Sequence, residues 1–178
     1  MGKDLDSNID SSEHPWVFDY ASTCRSEFLD VVLFSRCKFL INGATGSVLL
    51  RAIFNLPTVN SDTYRNLKNW FSGDVATFQK VRFVSDGRLA TVSEMVKMGD
   101  AFSDERHQEK LGVELVKNTA EEILAACEEM IARLNGTWEA TEEDEILQTR
   151  YWDLICKSGH NGGRIGAKFL RDNQDLLR

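Results

Sequence analysis

Residues 37–54 read Cys37-Lys38-Phe39-Leu40-Ile41-Asn42-Gly43-Ala44-Thr45-Gly46-Ser47-Val48-Leu49-Leu50-Arg51-Ala52-Ile53-Phe54. Six residues suited to a buried strand, Cys37–Asn42, run into a small-residue turn, Gly43–Ser47. Val48, Leu49, Ile53 and Phe54 then recur at helical spacing. Apolar strand, short turn and helix is the unit from which open α/β sheets are assembled. Such a turn lies at the carboxyl end of its strand, where these sheets bind ligands. The first turn of the following helix offers unpaired N–H groups and a partial positive charge to an anion. Gly43 and Gly46 allow close backbone approach, and Thr45 and Ser47 add hydroxyls. The stretch is neither a Gly-Lys-Ser/Thr phosphate loop nor a spaced triple glycine. It therefore has two readings, an anion cradle or a plain connection capped by Ser47.

Working outward, the alternation continues on both sides. Trp16-Val17-Phe18 reads as a short strand, and Phe28, Leu29, Val32 and Leu33 mark a helix over 26–35. Cys37–Asn42 is apolar enough for a central strand covered on both faces. After the helix 47–54, Asn55-Leu56-Pro57 closes the crossover and Thr58-Val59-Asn60 begins a further strand. Strand, helix, strand, helix, strand predicts a three-layer α/β domain around a parallel sheet. Residues 61–90 read as a long loop with short elements, including a weakly alternating Val81–Val84. Thr91-Val92-Ser93-Glu94 and Thr119-Ala120-Glu121-Glu122 are capping boxes, opening helices over 92–98 and from 120. Between them Gly112–Lys117 alternates like a final strand. The helix from 120 is expected to turn Ile123, Cys127, Met130, Ile131 and Leu134 inward, and Asn135-Gly136 stops it. Thr141 caps another helix with a buried stripe of Leu147, Tyr151, Leu154 and Ile155, and a last helix spans 165–177. The expected division is a polar segment 1–14, a sheet domain 15–136 and a helical extension 137–178.

The composition narrows function. Of 178 residues 42% are hydrophobic and 28% charged, and the net charge is −7 with no basic block. General nucleic-acid binding by phosphate neutralisation is not expected. Cys24, Cys37, Cys127 and Cys156 form no C-x-x-C pair, and Cys37 and Cys127 read as small core residues in a reducing cytoplasm. No apolar run is long enough to span a bilayer. His14, His107 and His160 lack ligand spacing, so no metal is predicted. Glu142-Glu143-Asp144-Glu145 point in different directions on a helix and read as acids in its first turn, favouring the dipole. Nothing poises a serine for nucleophilic attack.

Three turns are expected to line one rim of the sheet. They are Asp19–Arg25 after the first strand, Gly43–Ser47, and Asn118–Thr119 after the last. Asp19 would accept from sugar or base, Arg25 would pair a phosphate, and Asn118 would touch a ligand; each also has a plain reading as a cap or a solvated surface group. Lys80, Arg82 and Arg88 would add positive charge above the rim. Arg164, Lys168 and Arg171 read as a solvated helix face.

Several segments together carry a resemblance. FDYASTCRSEFLDVVLFSRCKFLINGATG, DGRLATVSEM, ELVKNTAEEILAACEEMIARLNGTWEATEEDEILQ and GRIGAKFLRDNQDLL resemble, in this order, the C-terminal region of a family of bacterial glycosyltransferases linked to surface polysaccharides. The likeness covers most of 16–178 and is poorest over 61–85. It implies a Rossmann-like domain, one of two that face each other in such enzymes, holding the nucleotide-sugar donor. The expected fold is thus α/β, a three-layer Rossmann-like parallel sheet with a helical C-terminal extension. By the same resemblance the hydroxyl-glycine turn falls on Thr45-Gly46, the Arg-Ser pair on Arg25-Ser26, and a lysine ahead of Gly87-Arg88 on Lys80. Asn42-Gly43 departs from the family's glycine followed by a polar residue, and Thr45 replaces its usual serine, which keeps a hydroxyl. The expected donor-binding set is Asp19, Arg25, Ser26, Gly43, Thr45, Gly46, Ser47, Lys80, Asn118 and Thr119. A nucleotide sugar is the expected substrate, with no tightly bound cofactor. The chain starts where the family is already inside its second domain, so an acceptor half is expected as a separate domain or subunit. Apolar surface left by its absence makes self-association an expectation. The other reading is a nucleotide-binding or interaction module without turnover.

Overall fold

A computed structural model describes residues 14–43, 48–63, 71–99, 105–155 and 163–178. Its main sheet holds β1 (Leu40–Asn42), β2 (Thr58–Thr63), β3 (Val75–Phe78) and β6 (Arg164–Ile165), in that spatial order and all parallel. The fold is the expected α/β, Rossmann-like arrangement. A separate antiparallel pair joins β4 (Lys80–Phe83) to β5 (Val113–Val116). Eight α-helices are described: α1 (Tyr20–Thr23), α2 (Glu27–Arg36), α3 (Val48–Ile53), α4 (Val92–Met98), α5 (Glu105–Leu111), α6 (Ala120–Leu134), α7 (Glu142–Ile155) and α8 (Ala167–Asp172). None of them is long and apolar enough to cross a membrane.

The pleat of the strands sorts the core into two layers. Val59 and Val75 point to one face, where Ala126, Cys127 and Met130 of α6 cover them. Ala76, Phe78 and Ile165 point to the other, against Leu147, Tyr151 and Trp152 of α7 and Phe169 and Leu170 of α8. Phe78 stacks on Tyr151 and meets Phe169 edge-on, with ring centroids 5.6 and 4.9 Å apart. Burial of such rings dominates the apolar driving force of a core this size.

Local chemistry explains where the helices begin and end. Both capping boxes form: Thr91 and Glu94 exchange bonds at α4, and Thr119 and Glu122 do so at α6. Thr141 and Asp144 make the same exchange at α7. α3 closes on Asn55, at φ 47°, with the Leu56 N–H bonded to the Arg51 carbonyl. That left-handed residue after a helix is one asparagine tolerates better than most. α8 starts at Gly166, which has no side chain for a cap. Glu129 of α6 substitutes, its Oε2 accepting from the Ala167 N–H at 2.7 Å while Oε1 takes the Arg133 fork.

The structure corrects several expectations. Trp16-Val17-Phe18 is not a strand, and Trp16 and Phe18 are largely exposed. β1 is an edge strand with Ile41 half-exposed, rather than a central strand covered on both faces. The segment read as loop contains β3, whose four residues are all buried in the middle of the sheet. Gly112–Lys117 supplies a strand of the small antiparallel pair, not of the parallel sheet. Ile165 lies in β6 and not in the last helix, so the helical C-terminal part also lends the sheet a strand. Ile131 and Leu134 of α6 are partly exposed, and Ala126 and Glu129 take the inward positions.

One consequence for stability lies at α4. Arg88 donates to both oxygens of Glu94 at 2.9 Å. This ion pair, with the Thr91 N–H, holds the Glu94 carboxyl down to about 2 from its ordinary 4.5. A carboxylate that resists protonation only when folded stabilises the fold fully above pH 4.5, and that contribution is lost as pH falls toward about 2. Urea midpoints measured across this window should drop less steeply for Glu94→Gln than for the parent. Parallel curves would contradict the assignment.

Candidate functional site

The carboxyl ends of the parallel strands bring together residues far apart in sequence. Asn118 lies between β5 and α6, and its side chain reaches over the ends of β2 and β3. Its Oδ1 accepts from the Asp62 N–H and the Thr77 hydroxyl, both at 2.7 Å, and its Nδ2 donates to the Phe78 carbonyl at 3.0 Å. Asp62 returns the contact, its Oδ1 accepting from the Asn118 N–H at 2.6 Å. This exchange fastens Asp62 at φ 51°, where the β2–β3 register shifts. A left-handed residue at a bulge costs energy that the paired bonds offset.

Beside the clasp stands Lys80. Its ammonium is 2.5 Å from Glu122 Oε1 and 5.7 Å from the Phe169 ring centroid. Glu122 Oε2 accepts from the Thr119 N–H. Burial raises the pKa of the Glu122 carboxyl, but the Lys80 ammonium, the Thr119 N–H and Asn173 outweigh it, so the net shift is downward. The pair is charged, nearly dry and poised at the N-terminus of α6.

Gly43 follows β1 at the same edge, with open space where a Cβ would stand. Thr45, Gly46 and Ser47 lie outside the described residues. The remaining candidates sit in a segment of their own. Asp19 caps α1, accepting from the Ser22 N–H and hydroxyl. Ser26 caps α2, and Arg25 pairs with Asp30 at 2.8 Å. Every bond of Arg25 and Ser26 among the described residues stays within 20–30. Residues 14–18 before it form no strand, so Asp19–Arg25 is not a strand-following turn.

Of the expected set, the structure therefore gathers Gly43, Lys80, Asn118 and Thr119 at one edge of the sheet. Sequence reasoning placed Asn118 there by treating β5 as a sheet strand. The placement holds for a different reason, the clasp to Asp62, Thr77 and Phe78. Asp62 and Glu122 are the neighbours of these candidates that it missed. Glu122 was marked as a cap, and an acid that caps a helix beside a buried lysine is the available signal. Asp62 carried none, since a polar strand end looks like any loop.

Four other basic residues singled out in the sequence are paired. Arg82 meets Glu114, Arg164 meets Glu145, Lys168 meets Asp172 and Arg171 meets the buried Asp144. A hollow of about 520 Å³ runs along α7, lined by Glu142, Ile146, Thr149 and Asp153 among others. It lies beside Glu145, whose partner Arg164 opens β6, and so flanks the opposite edge of the sheet. Among the described residues no group of His, Cys, Asp and Glu is arranged to hold a metal ion.

Comparison with protein-family models, with curated proteins and with solved structures returned no match.

Proposed function

We propose that the chain binds the nucleotide-sugar donor of a glycosyltransferase, with the diphosphate held at the turn between β1 and α3. One observation carries the reading: the β1–turn–α3 unit opens at the carboxyl edge of a parallel sheet, and the only buried lysine among the described residues stands at that edge. Parallel α/β sheets bind anionic ligands there. Lys80 is the better cation of the two expected, because Arg25 is tied to its own segment. Its ammonium keeps two donors beyond the Glu122 bond. In the complete enzyme, backbone N–H groups of Thr45–Ser47 and Lys80 would stabilise the charge that grows on the diphosphate as the glycosidic bond breaks. The acceptor half would be supplied by a separate domain or subunit.

A second reading, an interaction module without turnover, is favoured by how fully the expected donor-binding set is spent. Arg25, Ser26, Asn118 and Thr119 all serve internal bonds or caps. Calorimetry with UDP, GDP and CMP separates the two. The donor reading expects one nucleotide to bind, and Lys80→Met to weaken it about tenfold or more, the loss of one charge-assisted contact. Absence of binding at millimolar nucleotide leaves the interaction module. A turnover assay with a candidate N-terminal partner then tests catalysis.

A further inference from the structure

Near the carboxyl ends of β2 and β3 stand two buried polar residues, Ser61 and Gln79, which keep 8% and 7% of their surface. The Gln79 N–H donates to the Thr63 carbonyl at 3.1 Å, which fixes the residue at the end of β3. Among the described residues, neither its side-chain amide nor the Ser61 hydroxyl makes a hydrogen bond. Buried polar groups are nearly always paired, so an unpaired one calls for a partner from outside the chain. The enclosed side-chain atoms that lack a partner are Arg51 Nε, Trp138 Nε1 and Arg164 Nε. The Gln79 amide and the Ser61 hydroxyl are not among them, so their polar atoms lie at the little surface these residues keep. The pleat puts both on one face. Val59 and Val75 point toward α6, and Ser61 and Thr77 follow them by two residues. The Thr77 hydroxyl meets Asn118 at the start of α6, and Gln79 comes two residues later. Asn42 pairs with Asn60, so Gly43 stands beside Ser61. The β1 turn, Ser61 and Gln79 thus follow one another across three adjacent strands. We infer that Ser61 and Gln79 form a subsite for the hydroxyl groups of a sugar whose phosphate sits at the β1–α3 turn.

The chemistry of the subsite selects neutral hydroxyls. A glutamine amide and a serine hydroxyl each donate and accept, as sugar hydroxyls do. Asp62 adds an acceptor: its Oδ1 takes the Asn118 N–H, while its Oδ2 makes no hydrogen bond among the described residues. A carboxylate at the end of β2 repels a second phosphate there but accepts from a hydroxyl. A nucleotide base would call for a flat apolar slot. The ring at this strand end, Phe78, is turned to the opposite layer, against Tyr151 and Phe169. Adjacent strands are about 4.8 Å apart, so Gln79 stands about 10 Å from the β1 turn, a distance that a phosphate and one sugar ring cover. The inference rests on the phosphate site proposed above and adds the direction of the ligand, with its sugar toward β3.

Calorimetry tests it with the parent and Gln79→Met, using UDP, GDP and CMP beside UDP-glucose, UDP-N-acetylglucosamine, GDP-mannose and CMP-N-acetylneuraminate. Gln79→Met should weaken the best-binding nucleotide sugar about tenfold, as loss of one or two ligand hydrogen bonds does, and leave its free nucleotide within about twofold. Ser61→Ala should show the same selectivity. The urea midpoint of Gln79→Met should equal or exceed that of the parent, because methionine fills similar space and strands no partner. If the parent binds a nucleotide, and Gln79→Met weakens nucleotide and nucleotide sugar equally or weakens neither, the subsite is overturned while the phosphate site stands. A parent that binds neither class removes the phosphate site and the subsite with it. A lowered urea midpoint would mean that the amide serves the fold, and overturns the inference as well.

Discussion

Asp74→Ala is expected to cost about 3–5 kcal/mol, a large part of the ~5–15 kcal/mol that stabilises a domain of this kind. Asp74 and Arg51 are almost completely buried, and their charged atoms are 2.6 Å apart. The carboxylate does more than neutralise the guanidinium. It accepts from the Thr58 N–H at 3.0 Å and the Phe71 N–H at 3.2 Å, and Asn60 Nδ2 lies 3.5 Å away. One side chain thus ties the start of β2, the approach to β3 and helix α3 together. Alanine would leave Arg51 charged and unpaired in a dry site, and strand two backbone donors. Arg51→Met should cost less, because Asp74 keeps its other donors and Arg51 Nε already lacks a partner. Urea unfolding of both variants checks the order. Equal losses would mean that the ion pair, and not the backbone bonds to Asp74, dominates.

Asn118→Ala should rank next, at about 3 kcal/mol, since each buried polar group left unpaired costs about 1–3 kcal/mol. The variant strands the Thr77 hydroxyl and the Phe78 carbonyl, both deeply buried, together with the Asp62 N–H. It also frees Asp62 from its left-handed conformation. Asn118→Asp tests the assignment more sharply. A carboxylate keeps acceptors for Asp62 and Thr77, but loses the donor to Phe78 and faces the Asp62 carboxylate. Its deficit should therefore shrink as pH falls through the carboxylate range, while that of Asn118→Ala should not. Unfolding midpoints of the two variants at neutral and mildly acidic pH measure this difference. A pH-independent deficit for Asn118→Asp would show that the Asp62–Asn118 contact is not the lock described.

How legible these features were follows from their range along the chain. Helix starts were readable because a cap and its partner stand three residues apart, as at Thr91 with Glu94 and Thr119 with Glu122. The β1–turn–α3 unit was readable for the same reason, its periodicity changing within one short stretch. β3 was not. Its four residues, Val-Ala-Thr-Phe, are too few to show alternation, and burial on both faces removes the polar half of the pattern. Trp16–Phe18 looked like a strand because its residues favour strands, yet propensity without a neighbour makes no sheet. At the candidate site Asn118 and Thr119 were legible as a strand-to-helix turn. Asp62, which holds that turn from 56 residues away, was not, and Glu122 was legible as a cap but not as the partner of Lys80, 42 residues away, because long-range contacts leave no local trace.

The most direct test of the donor-site account is a nuclear magnetic resonance titration of the isotope-labelled protein with UDP, GDP and CMP. The account predicts that one nucleotide shifts the backbone amides of Gly43 to Ser47 most strongly, with smaller shifts at Lys80 and Thr119. Shifts confined to other surfaces, such as the hollow along α7, or none at millimolar nucleotide, would contradict it.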